Sequence, residues 1–290
     1  MKVTGFSFIR NGVKFDFPIV EAIKSILPIC DEFVVAVGKS EDDTLGLIQS
    51  IGSPKIKIIE TVWDESLRQG GRVLADETNK AFQAISDDSD WCFYIQGDEV
   101  MHERDLPAIQ AAMVEYKDDP RVQGLVFDHL NFYGSYDYIA NSRHWHKREV
   151  RVVRKDKSIS SYKDAVSFRR NGKKLNCKYV PATIHHYGWV KNPKIQLEKR
   201  KSFEKLWHDD NVVNGIFDNK DAFDYNLIDS VSRFSGSHPQ VIEGRIKAVN
   251  WEFSFDPTVA PKLSFGKKLL NALYQKTGIH LGEFKNYNLV

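Results

Sequence analysis

Short apolar runs alternate with amphipathic stretches through the first half of the chain. Thr4-Gly5-Phe6-Ser7-Phe8-Ile9 predicts a strand that stops at Arg10-Asn11-Gly12, and Phe17, Val20, Ile23, Ile26 and Leu27 recur behind it at helical spacing. Glu32-Phe33-Val34-Val35-Ala36-Val37 predicts a second buried strand. It ends at Gly38-Lys39-Ser40-Glu41-Asp42-Asp43-Thr44, a turn rich in helix N-cap types, and a short helix follows over 45–51. Residues 55–61 predict a third strand, and 72–85 a helix with Leu74, Thr78, Ala81, Phe82 and Ile85 on one face. The fourth strand, Trp91-Cys92-Phe93-Tyr94-Ile95, is apolar without a break and then gives way to Gln96-Gly97-Asp98-Glu99. An unbroken apolar run suits a strand covered on both faces, and strands alternating with helices give βαβ units and a mainly parallel sheet.

Farther on, Leu106, Ile109, Ala112 and Met113 mark a helix, and 122–127 a strand. Residues 129–147 hold Tyr133, Tyr136, Tyr138, Trp145 and three histidines, and read as a long irregular connection of the functional kind. Val150 to Arg154 alternates as a half-buried strand, with further strands expected near 175–179 and 183–187. From Lys191 the character changes, and helices are expected over 194–207, 239–253 and 264–277. The organisation expected is an α/β domain over 1–190 with a helical C-terminal extension, 191–290, packed on it.

Composition narrows the choices. The 290 residues are 42% hydrophobic and 28% charged, enough for a sizeable core. A net charge of +2 gives no global field for nucleic acid. No apolar signal region opens the chain and no run of eighteen apolar residues occurs, so a cytoplasmic protein is expected. Cys30, Cys92 and Cys177 are far apart and odd in number, which fits reduced core thiols. Six tryptophans among 12% aromatics suit a sugar- or base-stacking cleft, although core packing accounts for most of them.

The chemistry concentrates after the fourth strand. Carboxylates just past a strand's carboxyl end stand where open α/β sheets place ligands. Asp98 and Glu99 there suit a hard cation such as Mg²⁺ or Mn²⁺, which can hold a diphosphate; a solvated Gly-Asp turn gives the same pattern. Neither G-x-G-x-x-G nor a P-loop follows the first strand.

Taken in order, these features resemble the family 2 glycosyltransferases of the GT-A fold, particularly the bacterial members, over roughly residues 3–190. The opening strand ends at Arg10-Asn11; Ser40-Glu41-Asp42-Asp43-Thr44 is similar to that family's Asp-Gly-Ser-Thr-Asp-Gly-Thr turn; Arg72 to Asn79 is similar to its basic-then-Asn helix. Gln96-Gly97-Asp98-Glu99 stands where the family has Asp-x-Asp, and His185-His186-Tyr187-Gly188-Trp189 resembles its late metal-site histidine. Two departures stand out. Gln96 replaces the first carboxylate, and Val37-Gly38 replaces the Asp that contacts the base.

The resemblance implies a GT-A nucleotide-diphospho-sugar transferase fold, α/β with a mainly parallel mixed sheet flanked by helices. It implies an inverting transferase that moves a sugar from a nucleotide-sugar donor to a glycan, lipid-linked or surface-polysaccharide acceptor. A divalent cation, Mn²⁺ or Mg²⁺, would be held by Asp98 and His186. Arg10, Asn11, Ser40, Asp42, Arg72, Gln96, Gly97 and Glu99 would contact the nucleotide sugar, and Asp164 would be the base, with Glu149 its competitor and a capped turn its simpler role. Arg151 and Lys163 could neutralise phosphate, and the basic helix over 194–205 could reach the diphosphate or an anionic acceptor, but solvated surface charge is the role expected of each. Leu263, Leu269, Leu270 and Leu273 beside Lys262, Lys267 and Lys268 suit either a peripheral membrane contact or packing onto the main domain. Two other classes stay open: a metal-dependent nucleotidyltransferase, which would want a second strong carboxylate, and a sugar-binding protein that has lost catalysis.

Overall fold

The computed structural model of the chain describes residues 1–67, 69–256, 264–277 and 284–290. The four apolar runs form β1 (Val3–Ile9), β2 (Glu32–Gly38), β3 (Ile56–Thr61) and β4 (Trp91–Tyr94), paired in the order β3-β2-β1-β4 and parallel throughout. Between them run α1 (Ile19–Ile26), α2 (Thr44–Gln49) and α3 (Arg72–Gln83). Asp43 caps α2 by accepting from the Gly46 backbone N–H at 3.1 Å, as the turn composition predicts.

The unbroken apolar pattern of β2 has a direct cause. Phe33, Val35 and Val37 pack with Ile19, Ala22, Ile23 and Ile26 of α1, whereas Val34 and Ala36 pack with Ala81 and Phe82 of α3. Both faces of the strand are therefore covered, and no position in Phe33–Val37 is left for a polar side chain.

The chain continues through β5 (Glu99–Met101), α4 (Leu106–Glu115), β6 (Gly124–Tyr133), β7 (Ser135–Ala140), β8 (Arg148–Arg154), β9 (Ile159–Tyr162), β10 (Ser167–Arg170) and β11 (Lys173–Trp189). β8 lies antiparallel against β4 and against β6, and β11 runs parallel to β6, so the sheet is mixed beyond β4. The short β5 pairs antiparallel with β11, setting Glu99 opposite His186. After β11 come α5 (Pro193–Glu204), α6 (Asp210–Phe217), β12 (Val231–Arg233), α7 (Glu243–Lys247), α8 (Phe265–Thr277) and β13 (Tyr287–Leu289).

Several expectations are corrected. Residues 129–147 are not mainly irregular: β6 runs to Tyr133 and turns through Gly134, at φ +73°, into β7. The two short strands near 175–187 are one strand of 17 residues. Its pairing with β6 shifts register between Tyr179 and Thr183, where Pro181 has no N–H to give the ladder, and again between His186 and Trp189. The helix expected over 239–253 shrinks to a 3₁₀ turn, Gln240–Ile242, and the five residues of α7. The extension is also not purely helical, because β12 pairs with β7 and β13 with β11. Its last residues thus complete the sheet.

The three cysteines are free and buried, as expected of core thiols. Among the described residues no helix is long and apolar enough to cross a membrane. Lys262 and Leu263 of the terminal basic stretch lie outside the described residues; within it Leu269 is exposed and Leu270 half-buried.

Candidate functional site

A cleft of about 740 Å³ opens at the carboxyl ends of β1 and β4, bounded on the other side by α5. Its floor is built by turn chemistry. Asn11 takes the left-handed conformation (φ +55°), which Asn tolerates better than most residues. Its backbone N–H donates to Ser40 Oγ at 3.0 Å, and its Oδ1 accepts from the Glu41 N–H at 2.9 Å. The β1 and β2 turns are thereby locked side by side. Asp42 accepts from the Lys14 N–H at 2.6 Å and from the Thr44 N–H at 3.0 Å.

Of the expected donor contacts, Arg10, Asn11, Gln96 and Gly97 line this cleft, together with the expected metal ligands Asp98 and His186 and the expected base Asp164. Ser40 and Asp42 brace its turns instead. Arg72 lies outside the lining, where its Nε donates to the Gln69 carbonyl at 3.2 Å. Glu99 does not reach the cleft either: strand alternation turns it inward, and it is fully buried.

The inward cluster is tightly paired. Arg151 donates from Nη2 to Glu99 Oε1 at 2.6 Å and from Nε to Oε2 at 2.8 Å. Arg151 is 3% exposed, so the surface role expected for it is corrected. His129 Nε2 stands 3.1 Å from Glu99 Oε1, and the Gln96 N–H donates to Oε2 at 3.1 Å. Burial opposes the charge of Glu99, but Arg151 and His129 outweigh it and hold the carboxyl well below the usual range. Burial pushes His129 down to about 4. Glu149, 3.6 Å from Arg151, is pushed up to about 8, first by burial.

The outward cluster centres on Asp98. Lys199 of α5 donates to its Oδ2 at 3.0 Å and to the Gly188 carbonyl at 3.0 Å. His186 Nε2 lies 3.7 Å from Asp98 Oδ1, while His186 Nδ1 is buried without a partner among the described residues. Burial again opposes ionisation of Asp98, but Lys199, His186 and Lys191 outweigh it and hold the carboxyl well below its ordinary value. A Cβ on Gly188 would stand 2.6 Å from both Asp98 Oδ2 and His186 Nε2, so only glycine leaves this cluster its space.

Lys199 is a cleft-lining residue that the expectation of a solvated helix face passes over. The expectation of a solvated basic helix fails for it, since it is 8% exposed. A signal did exist. Gln196, Lys199 and Phe203 fall at i, i+3 and i+7, one helical face, and all three line the cleft.

Across the cleft, Asp164 sits in the turn between β9 and β10, between Lys163 and Ala165, both at positive φ. Gln96 Nε2 donates to the Ala165 carbonyl at 3.3 Å and ties this turn to the end of β4. A Cβ on Gly71 would meet Asp164 Cβ at 2.9 Å and Trp207 at 2.7 Å, and the Gly71 N–H donates to the Leu206 carbonyl at 2.9 Å. The segment after α5 is therefore pinned over the Asp164 side of the cleft. Glu149, the competing carboxylate, is buried and does not line it. On the far wall the Arg10 guanidinium lies 5.3 Å over the Trp63 ring, and Trp63 packs where a Cβ on Gly38 would come within 2.4 Å of its Nε1.

Asp98 Oδ1 and His186 Nε2 converge at 3.7 Å with their approach kept open by Gly188. One carboxylate oxygen and one imidazole nitrogen fit two positions around Mn²⁺ or Mg²⁺. Among the described residues no group of three or more His, Cys, Asp and Glu side chains converges. Phosphate oxygens and water would have to fill the remaining positions, as is usual for Mg²⁺.

No protein-family model matches this chain, and no curated protein does. Among solved structures it is similar to residues 1–349 of TarS from S. aureus, at 13% identity and a TM-score of 0.39 over 74% of this chain and 69% of that one. It is similar to glucosyl-3-phosphoglycerate synthase from Mycobacterium tuberculosis, crystallised with Mn²⁺, UDP and phosphoglyceric acid, at 18% identity and a TM-score of 0.31 over 46% and 43%. A third is 4-diphosphocytidyl-2C-methyl-D-erythritol synthase from Anaerococcus prevotii DSM 20548, at 10% identity and a TM-score of 0.39 over 66% and 89%. The fold is of the GT-A type, and that rests on the strand order, registers and cleft described above rather than on these superpositions.

Proposed function

We propose that this protein transfers a sugar from a nucleoside-diphosphate donor to an acceptor hydroxyl, with inversion at the anomeric carbon. The observation that carries the reading is the placement of Asp98, His186 and Asp164 around one cleft at the carboxyl ends of β1 and β4. Leaving-group departure builds negative charge on the diphosphate, and preorganised positive charge there lowers the barrier. Asp98 and His186 would hold a divalent cation, which when bound supplies that charge as a Lewis acid.

Asp164 takes the proton from the acceptor hydroxyl as its oxygen attacks the anomeric carbon from the face opposite the diphosphate. Leu206 and Trp207, pinned at Gly71, cover this side and limit water, which would otherwise hydrolyse the donor. Arg10 and Trp63 offer an aromatic, cationic wall for the base. The acceptor is proposed to be a glycan, a lipid-linked sugar or a surface polysaccharide. Nucleotidyl transfer is disfavoured because Gln96 is an amide and Glu99 is engaged by Arg151, so neither of these neighbours of Asp98 offers a second metal-binding carboxylate.

The test pairs binding with turnover. Nucleoside diphosphates should raise the melting temperature, more so with Mn²⁺. Asp164→Asn keeps shape but removes basicity, so transfer should fall by about 10²–10⁴-fold while donor affinity stays nearly unchanged. Transfer that survives Asp164→Asn and collapses in Glu149→Gln would move the base to Glu149.

A further inference from the structure

Lys199 holds an ammonium in an unusual place. Its side chain is nine-tenths buried, with Nζ 4.6 Å from the Phe17 ring and 5.6 Å from Phe203, and its two oxygen partners are Asp98 and the Gly188 carbonyl. A dehydrated charge of this kind needs a counter-charge. Asp98 provides it, and Asp98 is also the carboxylate that converges with His186. A divalent cation and an ammonium on one carboxylate repel each other unless another anion joins them. The diphosphate of a sugar donor is such an anion.

We infer that Lys199 is a counter-ion of the donor diphosphate: it rests on Asp98 in the free protein and passes to a phosphate oxygen when donor binds. The inference depends on the donor reading above. Lys191 fits the same design. It is completely buried, its Nζ donates to the Asp16 carbonyl at 2.6 Å, and it lies 4.9 Å over the Phe17 ring that Lys199 also faces. Burial and the neighbouring Lys199 push the Lys191 amine down to about 7, and an anion arriving beside the two amines relieves that crowding. The arrangement also makes α5, beyond the expected domain boundary at 190, part of the donor site.

Isothermal titration of UDP, GDP, CDP and ADP, each in Mn²⁺ and in EDTA, tests this without turnover. With whichever diphosphate binds the wild type, Lys199→Gln should lose about 10- to 100-fold in affinity, the scale of a charge-assisted hydrogen bond. The matching monophosphate should change by no more than about twofold, and Lys199→Arg should restore most of the diphosphate affinity. A second variant covers misfolding of Lys199→Gln. Asp98→Asn frees the ammonium, so diphosphate affinity in EDTA should rise above wild type. Equal diphosphate affinity in wild type and Lys199→Gln, an equal loss for mono- and diphosphate, or no rise in Asp98→Asn overturns the role of Lys199 and leaves the donor reading standing. Silence of the wild type toward all four diphosphates overturns both.

Discussion

Asp98 and Glu99 are adjacent, carry the same charge, and each has a histidine and a basic side chain beside it; their surroundings are nevertheless opposite. Glu99 accepts two hydrogen bonds at each oxygen, from Arg151 and His129 on one and from Arg151 and the Gln96 N–H on the other. Asp98 faces the cleft, with Lys199 on one oxygen and His186 at 3.7 Å from the other. The His129 and His186 rings, 5.1 Å apart, form the boundary between the two clusters. A closed ionic cluster satisfies its carboxylate with fixed partners and rigidifies the fold. The open one leaves its carboxylate and imidazole available to an arriving ligand. Strand alternation at the start of β5 decides which carboxylate does which.

The comparison breaks most visibly at Glu99. Glu99→Gln leaves the Arg151 charge buried without its main counter-ion, at a cost of about 3–5 kcal/mol in urea unfolding. A loss below about 1 kcal/mol would mean that Arg151 has re-paired with Glu149, its neighbour at 3.6 Å.

Asp98→Asn should cost less, about 1 kcal/mol, because Lys199 keeps the Gly188 carbonyl and can turn into the cleft. Its signature is functional: titration should show Mn²⁺ no longer strengthening nucleotide binding. A stability loss as large as that of Glu99→Gln would erase the distinction between the clusters.

The smallest effect concerns pH. Glu149 is raised to about 8 from an ordinary value of 4.5, so between these the folded state binds a proton that the unfolded state has released. Stability from this group is therefore fully present below pH 4.5 and is lost as pH rises through 8. In thermal melts, Glu149→Gln should gain on wild type steadily from pH 5 to pH 8. A difference constant across that range would show that Glu149 is ionised throughout.

Much was readable in the chain itself. The runs at 4–9, 32–37, 55–61 and 91–95 are apolar because both faces of the parallel sheet are covered, and local periodicity carries that information. The end of the fourth run placed Asp98 at the carboxyl edge of the sheet, and the turn at 40–44 announced its helix cap. Asp164, Gln96 and His186, candidates on sequence alone, share the cleft with Asp98.

What tertiary structure alone decided were facings and partners. Glu99 looked like a second ligand, and only the pairing of β5 with β11 turned it toward Arg151. Residues 129–140 looked irregular because aromatic side chains that pack across β6 and β7, such as Phe132 and Tyr136, show no two-residue period against solvent. Lys199 looked like ordinary helix charge, since a helix's amphipathic pattern does not state which neighbour its polar residues will meet. Docking of α5 against the β4 turn brought that ammonium to Asp98, across 101 positions of sequence, a distance over which no local pattern carries information.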